Sequence, residues 1–452
     1  MAEFTVDEVC LATHGKMIGS LYGDRFTGIC TDTRKVKPGD LFIPLIGENF
    51  DGHNFINTAI AGGATGVLTS RSDLITDQST TVIFVADTLL ALQELACFHR
   101  KRFDIPIVAI TGSNGKTTTK DMTAAVLASR FEVLKTEANF NNEIGLPLTL
   151  LQLHDRHEVA VVEMGMRGKG QIRELANIAL PTIAVITNVG ETHMELLGSI
   201  EDIAIAKAEL LESIPEDGLT ILNADNPYVR SMKSQAKSRV TFFGLEQGDV
   251  QGDTIHTDGQ GMKFRCHCAE EEFPVFIPTI GKHNVYNALA AIAIALELRL
   301  TADEIRLGLG TYNASPMRLH VQELSGYLIV NDAYNASPMS MAAAIDTLLE
   351  VAKGRTVAVL GDMLELGHIA VEAHRQIGEK LAQCQVDIVL TVGTLASHIA
   401  KAASEQGVKT AVACNSHEEA QETLKQLLKP GDSILLKGSR GMKMEKIITM
   451  FL

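Results

Sequence analysis

The stretch Ile107-Val-Ala-Ile-Thr-Gly-Ser-Asn-Gly-Lys-Thr-Thr-Thr119 reads as a strand, a turn and the first turn of a helix. Residues 105–110 form a short apolar run, the pattern of a strand buried on both faces of a parallel sheet. Residues 116–129 have helical periodicity, with Met122, Ala125 and Val126 on one face. Gly112 and Gly115, flanking Ser113 and Asn114, let the backbone wrap closely around phosphate oxygens. Lys116 supplies a positive charge and Thr117 offers a hydroxyl to Mg2+. Thr118 continues a helix whose N-terminus favours anions. The common phosphate-loop pattern has a glycine five residues before the Gly-Lys pair. Here that position is Ile110, so the loop is a shortened variant. Residues 111–118 therefore read as a phosphate loop for ATP and Mg2+; the plainer alternative is a glycine-rich strand–helix turn.

Downstream, apolar runs at 159–163 and 182–188 extend the β-loop-α order into a doubly wound parallel sheet. Residues 239–280 alternate in polarity between Gly/Asp turns and predict antiparallel hairpins added to that sheet. An apolar helix is expected at 284–298. Upstream, strands are expected at 41–44, 66–69 and 81–85 and an amphipathic helix at 88–102. Beyond residue 314, strands at 356–360, 388–392 and 433–436 alternate with helical stretches. No G-x-G-x-x-G follows any of them, so the unit is Rossmann-like without an implied dinucleotide. The fold class is α/β in three domains: a small α/β domain at 1–103, a central P-loop parallel sheet with antiparallel additions at 104–313, and a C-terminal Rossmann-like domain at 314–452.

The bulk numbers agree with this division. A chain of 452 residues exceeds one core, at roughly 100–200 residues per domain. A net charge of −15 argues against nucleic-acid binding, although a local Gly/Lys loop still binds phosphate. The longest apolar run, 288–296, is far shorter than the ~20 residues of a membrane span, and no targeting signal is read at 1–10. Seven scattered cysteines fit reduced thiols in a cytoplasm. Cys266-His267-Cys268 reads as part of a hairpin rather than a metal site.

Other residues are ambiguous when read alone. Glu163 ends a strand where a parallel sheet places ligands, yet it is equally a solvated strand-end charge. A lone His193 is more often structural, and Mg2+ prefers oxygen. Lys207 reads by default as an exposed helical lysine. Asn284 and Asn287 are polar breaks in an apolar helix or amides facing a ligand. Arg318 is an ion-pair residue or an anion contact. Thr31, Asp32, Thr33 and Arg34 form a turn, as do the asparagines at 139–142.

Taken together and in order, these motifs resemble the Mur ligase family, the ATP-dependent amide ligases of peptidoglycan precursor synthesis. The resemblance spans all three segments. It implies that the Thr-Gly-Ser-Asn-Gly-Lys-Thr-Thr loop binds ATP and that Thr117, Glu163, His193 and Lys207 hold Mg2+, with Lys207 carbamylated by CO2. It implies further nucleotide contacts from Asn284, Asn287, Arg318 and Asp332, and catalytic roles for Lys116, His193 and Lys207. Within the family, the chain is most similar to the branch that joins D-alanyl-D-alanine to UDP-N-acetylmuramoyl-tripeptide. The carriers of that choice are the loop with Asn139, Asn141 and Asn142, the segment Asp332-Ala-Tyr-Asn-Ala-Ser-Pro338 with Tyr334 and Asn335, and Gly361-Asp-Met-Leu-Glu-Leu-Gly-His368. The segment Thr31–Arg34 matches a uridine-nucleotide domain. One departure is Glu137-Ala138, where members of the family often carry a glycine. The resemblance implies a cytoplasmic monomer with these two small-molecule substrates and no stable membrane insertion. The rivals are a related ligase with another amino-acid acceptor and a nucleotide-dependent regulatory protein that has lost its chemistry.

Overall fold

The computed structural model describes residues 2–71, 80–269 and 271–452. Met1, part of the stretch read for a targeting signal, lies outside them. Three main sheets follow one another along the chain. The first has five strands in the order Lys16–Ile18, Thr81–Phe84, Gly66–Thr69, Asp40–Phe42 and Gly28–Cys30. All pairs are parallel except the one made by Lys16–Ile18. Helix Thr88–Arg100 leads out of it, N-capped by Asp87, whose carboxylate accepts from the amides of Leu89 and Leu90.

The central sheet has nine strands. Its parallel part runs Val133–Lys135, Val159–Glu163, Ile107–Thr111, Ile183–Ile186, Leu219–Asn223 and Arg239–Gly244. Alternate residues of Ile107–Thr111 serve two cores. Ile107 and Ala109 pack towards helices Thr88–Arg100 and Gln171–Ala179. Val108 and Ile110 pack towards Lys116–Leu127 and Lys282–Glu297. Burial on both faces is why the strand carries no polar alternation. The expected antiparallel hairpins are found only in part. Arg239–Gly244 pairs parallel with Leu219–Asn223, and Val250–Thr257 begins parallel to it, at Phe243↔Val250. Antiparallel pairing starts with Met262–Cys268 and continues into Glu271–Ile277. Alternation reports two faces, not the direction of the partner strand. In that hairpin Cys266 and Cys268 face the core, while His267 faces out to Asp253 and Glu272.

The third sheet runs His320–Leu324, Tyr327–Asp332, Ser433–Lys437, Thr356–Gly361, Ile388–Val392 and Thr410–Cys414, parallel except for the first. Helix Pro338–Val351 starts with a capping box from Ser337 and a proline in its first turn, which fixes where the chain turns back over this sheet. Among the described residues no helix is long and apolar enough to cross a membrane.

Candidate active site

The strand order reverses around Ile107–Thr111, and the segment 112–115 leaves its C-terminal end at that switch point. Gly112 adopts φ 152° and Gly115 φ 82°. A Cβ on Gly112 would lie 1.9 Å from Thr187 Oγ1, and one on Gly115 2.5 Å from Asn287 Oδ1, so no side chain fits at either position. The loop is tied down from the next strand. Thr187 Oγ1 donates to the Asn114 carbonyl at 2.6 Å, the Asn114 amide donates to Asn188 Oδ1 at 2.9 Å, and Ser113 Oγ donates to the Gly190 carbonyl at 2.9 Å. Lys116 Nζ donates to the carbonyls of Gly112 and Ser113 at 2.7 and 3.3 Å. Burial lowers its pKa, and the Glu163 carboxylate opposes the shift.

Glu163 closes the neighbouring strand. Its Oε1 accepts from Asn141 Nδ2 at 2.7 Å, while its Oε2 is buried with no partner among the described residues. Such an acceptor lacks only a cation or donor, so the site fits Mg2+, which takes one or two carboxylates together with phosphate oxygens. Lys207, expected from its helical context to be exposed, is instead 2% exposed within helix Ile200–Glu212. Its amine has no hydrogen-bond partner among the described residues. Burial drives its pKa well below the usual lysine value, helped by Lys116. His193 opens the short helix Met194–Leu197 at φ 57°. Burial lowers its pKa against the pull of Glu365, whose Oε2 lies 2.5 Å from Nδ1.

The opposite wall comes from the third sheet. Arg318 stacks its guanidinium 4.0 Å over the Tyr334 ring. Asp332 receives the buried Lys437 ammonium and, at 3.1 Å, the Leu319 amide; Lys437 also donates to the Asn335 carbonyl. Ser337 Oγ donates to Asn114 Oδ1 at 3.0 Å, which joins the two walls at the phosphate loop. Between them lies a cleft of about 1040 Å3.

Residues 113–118, Glu163, His193 and Lys207 all line this cleft. So do Asn139, Asn142, Asn284, Asn287, Arg318, Asp332, Tyr334 and Asn335, whereas Gly112 sits behind the loop. The two helix asparagines already have protein partners. Asn287 Nδ2 donates to Asn284 Oδ1 at 3.0 Å, Asn284 Nδ2 donates to the Ile280 carbonyl, and Thr119 Oγ1 donates to Asn287 Oδ1. Thr31, Asp32, Thr33 and Arg34 lie outside the cleft in an exposed turn, where Arg34 Nε and Nη2 donate to the Asp32 carboxylate.

Sequence reasoning gave no role to His283 or Glu365 and read Asn141 only as part of the 139–142 loop; all three line the cleft. His283 is pushed down to about 4 by burial. It sits in the quoted Gly-Lys-His-Asn motif, so its position was a usable signal. Glu365 sits in the quoted 361–368 motif, but its partner His193 lies 172 residues away and nothing in that motif points to it.

Comparison with known proteins agrees with this geometry. Family profiles match in order: Mur ligase family, catalytic domain, at 25–100; Mur ligase middle domain at 110–295; and Mur ligase, glutamate ligase domain, at 317–440. The UDP-N-acetylmuramoyl-tripeptide–D-alanyl-D-alanine ligase of Bacillus subtilis (strain 168) is 42% identical, over 99% of this chain and 98% of the relative. A crystal structure of MurF from Acinetobacter baumannii superposes with a TM-score of 0.91 at 32% identity, covering 99% and 98% of the two chains. MurF ligase from Thermotoga maritima, in complex with ADP, superposes with a TM-score of 0.85 at 30% identity, over 94% and 96%. With profiles matched along all three segments and relatives of this identity spanning its length, the chain belongs to the Mur ligase family.

Proposed function

We infer that this chain is an ATP-dependent ligase that joins D-alanyl-D-alanine to UDP-N-acetylmuramoyl-tripeptide in peptidoglycan precursor synthesis. The observation that carries the reading is one cleft holding a phosphate loop, a buried carboxylate oxygen without a partner and a buried lysine without a partner. The full-length likeness to ligases of that name supports the choice of substrates.

The tripeptide carboxylate attacks the γ-phosphorus of ATP, giving an acyl phosphate and ADP. The neutral amine of the dipeptide then attacks the acyl carbon and phosphate leaves. The physical obstacle is bringing a carboxylate to a triphosphate. Lys116 and the loop amides of residues 113–118 offset that repulsion. Mg2+, when bound, neutralises phosphate charge. Thr117 and Glu163 would hold it through oxygens, and His193 with a carbamylated Lys207 would hold a second ion. Burial favours the neutral amine of Lys207, the form that reacts with CO2, and a carbamate would turn it into an oxygen ligand. Arg318 and Asp332 act from the third domain, whose wall keeps water from the acyl phosphate.

In this reading residues 1–103 bind the uridine nucleotide through the turn Thr31, Asp32, Thr33 and Arg34. Residues 104–313 bind ATP, with Asn284 and Asn287 near the base, and residues 314–452 close over both. Asn139, Asn142, Tyr334 and Asn335 contact the peptide substrates. In this reading the protein works as a cytoplasmic monomer.

The test is ADP release by the purified protein with UDP-muramoyl-tripeptide, with and without D-alanyl-D-alanine. Release that requires the dipeptide supports the reading; release with single amino acids instead selects the related ligase. Lys116→Ala is expected to abolish turnover in a folded protein. Lys207→Ala is expected to be inactive and partly restored by a short-chain carboxylate, and no restoration argues against the carbamate.

A further inference from the structure

The segment 362–366 is built as a rigid bracket. Asp362 Oδ1 accepts from the Ala396 amide at 2.6 Å, and the Asp362 carbonyl accepts from the Ser439 amide at 3.0 Å. The Met363 amide donates to His374 Nε2 at 2.9 Å, and the Leu364 amide donates to Ser439 Oγ at 2.8 Å. All these partners belong to the third sheet's unit. The residue the bracket presents, Glu365, leaves that unit and meets the central one at two points. Its Oε2 lies 2.5 Å from His193 Nδ1, and its carbonyl accepts from the Glu195 amide at 3.1 Å. Behind it, Gly367 lies so close to Glu195 that a Cβ there would be 3.0 Å from the Glu195 Cα. Glu365 and His193 both hold positive φ, 61° and 57°, although neither is glycine. Left-handed backbone at a bulky residue persists only where surrounding contacts impose it.

We propose that Glu365 is a positioning residue that fixes the orientation and tautomer of His193 from the third domain. The argument rests on hydrogen-bond roles. An ionised carboxylate only accepts, so Nδ1 carries the hydrogen and donates to Oε2. Nε2, which has no partner among the described residues, is left with its lone pair free. A carboxylate behind an imidazole is the usual way a protein selects which ring nitrogen acts. Here the carboxylate comes from a different sheet from the histidine. The tautomer of His193 is therefore set only while the two walls are together, and the site is completed by closure. A surface ion pair would need neither the two-point contact nor the bracket.

The proposal rests on the ligase reading only for its kinetic arm. The experiment compares wild type, Glu365→Ala and Glu365→Gln as full chains in the presence of a non-hydrolysable ATP analogue. Nitrogen-15 histidine spectra report the tautomer, and the His193 signals are assigned by their loss in His193→Asn. Wild type is expected to show Nδ1 protonated and Nε2 unprotonated. Glu365→Ala is expected to show a tautomer mixture and a kcat reduced about 10–100-fold, with the KM for ATP within about twofold. Glu365→Gln, which still accepts through its amide oxygen, is expected to recover most of both. An unchanged His193 spectrum in Glu365→Ala overturns the proposal whatever the activity. An unchanged kcat overturns it as well. Absence of dipeptide-dependent ADP release in wild type would instead sink the ligase reading, and the spectra would still decide the role of Glu365.

Discussion

Asn141 Nδ2 donates to Glu163 Oε1 over 2.7 Å, and this bond fixes the carboxylate so that its other oxygen is buried without a partner. An unmatched buried acceptor costs about 1–3 kcal/mol, and a fold does not carry that cost without return. In an α/β sheet the return is found at the C-terminal ends of strands, where Glu163 sits beside the phosphate loop.

Glu163→Gln keeps the shape and the bond from Asn141 but removes the charge. ADP release is expected to fall at least about 100-fold, while stability in urea stays equal or rises by up to about 1 kcal/mol. Activity within tenfold of wild type would mean that the orphan oxygen has no part in turnover.

Asp332 was read from sequence as a nucleotide residue. In the structure it holds the buried Lys437, which is 2% exposed, and the Leu319 amide next to Arg318. Removing one partner of a buried pair leaves an uncompensated charge, so Asp332→Ala is expected to lose about 3–5 kcal/mol of stability. Asp332→Ala combined with Lys437→Met should recover part of that loss. Denaturation of the single and double variants measures it, and a single variant within about 1 kcal/mol of wild type would contradict the pairing.

His283 is held at about 4 in the folded chain, below the usual histidine value, because burial disfavours its charged form. As pH falls below about 6.5 the unfolded chain binds a proton that the folded chain refuses until about pH 4, so stability is lost across that window. At about 1.4 kcal/mol per pH unit this contributes no more than about 3.5 kcal/mol. His283→Gln should flatten the wild-type slope between pH 6.5 and 4, and equal slopes in the two proteins would refute the assignment.

Ala138 has φ 48° and an exposed side chain. The left-handed region costs a non-glycine residue about 1–2 kcal/mol. Ala138→Gly removes that strain but adds freedom to the unfolded chain worth about 0.5–1 kcal/mol. The expected result is a gain of up to about 1 kcal/mol in urea denaturation, with ADP release preserved. A clear loss of stability would show that the loop does not hold this conformation.

The parts of the site legible in sequence were those whose chemistry is written in consecutive residues. The loop 111–118 is strand, glycine turn and helix within a few residues, and each feature constrains the next. Strands Leu219–Asn223 and Tyr327–Asp332 were not legible because apolar runs of 5 and 6 residues that end on a polar residue do not separate a buried strand from a helix turn by periodicity. Lys207 could not be seen to be buried. In Ala204-Ile-Ala-Lys-Ala-Glu-Leu-Leu211 small and apolar residues surround it on every side, so helical spacing assigns it to no face. Glu365 and Asp332 fall in motifs the sequence displays, but their partners could not be read locally: each pairs with a residue more than 100 positions away, His193 and Lys437.

Thr187 fills the space that any side chain at position 112 would need and uses it to hold the Asn114 carbonyl. In evolutionary terms the two positions are locked. A larger residue at 112 requires a smaller one at 187, and one without the threonine hydroxyl gives up its bond to the Asn114 carbonyl and leaves Asn188 Nδ2 to hold it. A path of single substitutions away from glycine therefore passes through a protein whose phosphate loop has lost one of its ties and rests on Asn188 and Gly190 for the others.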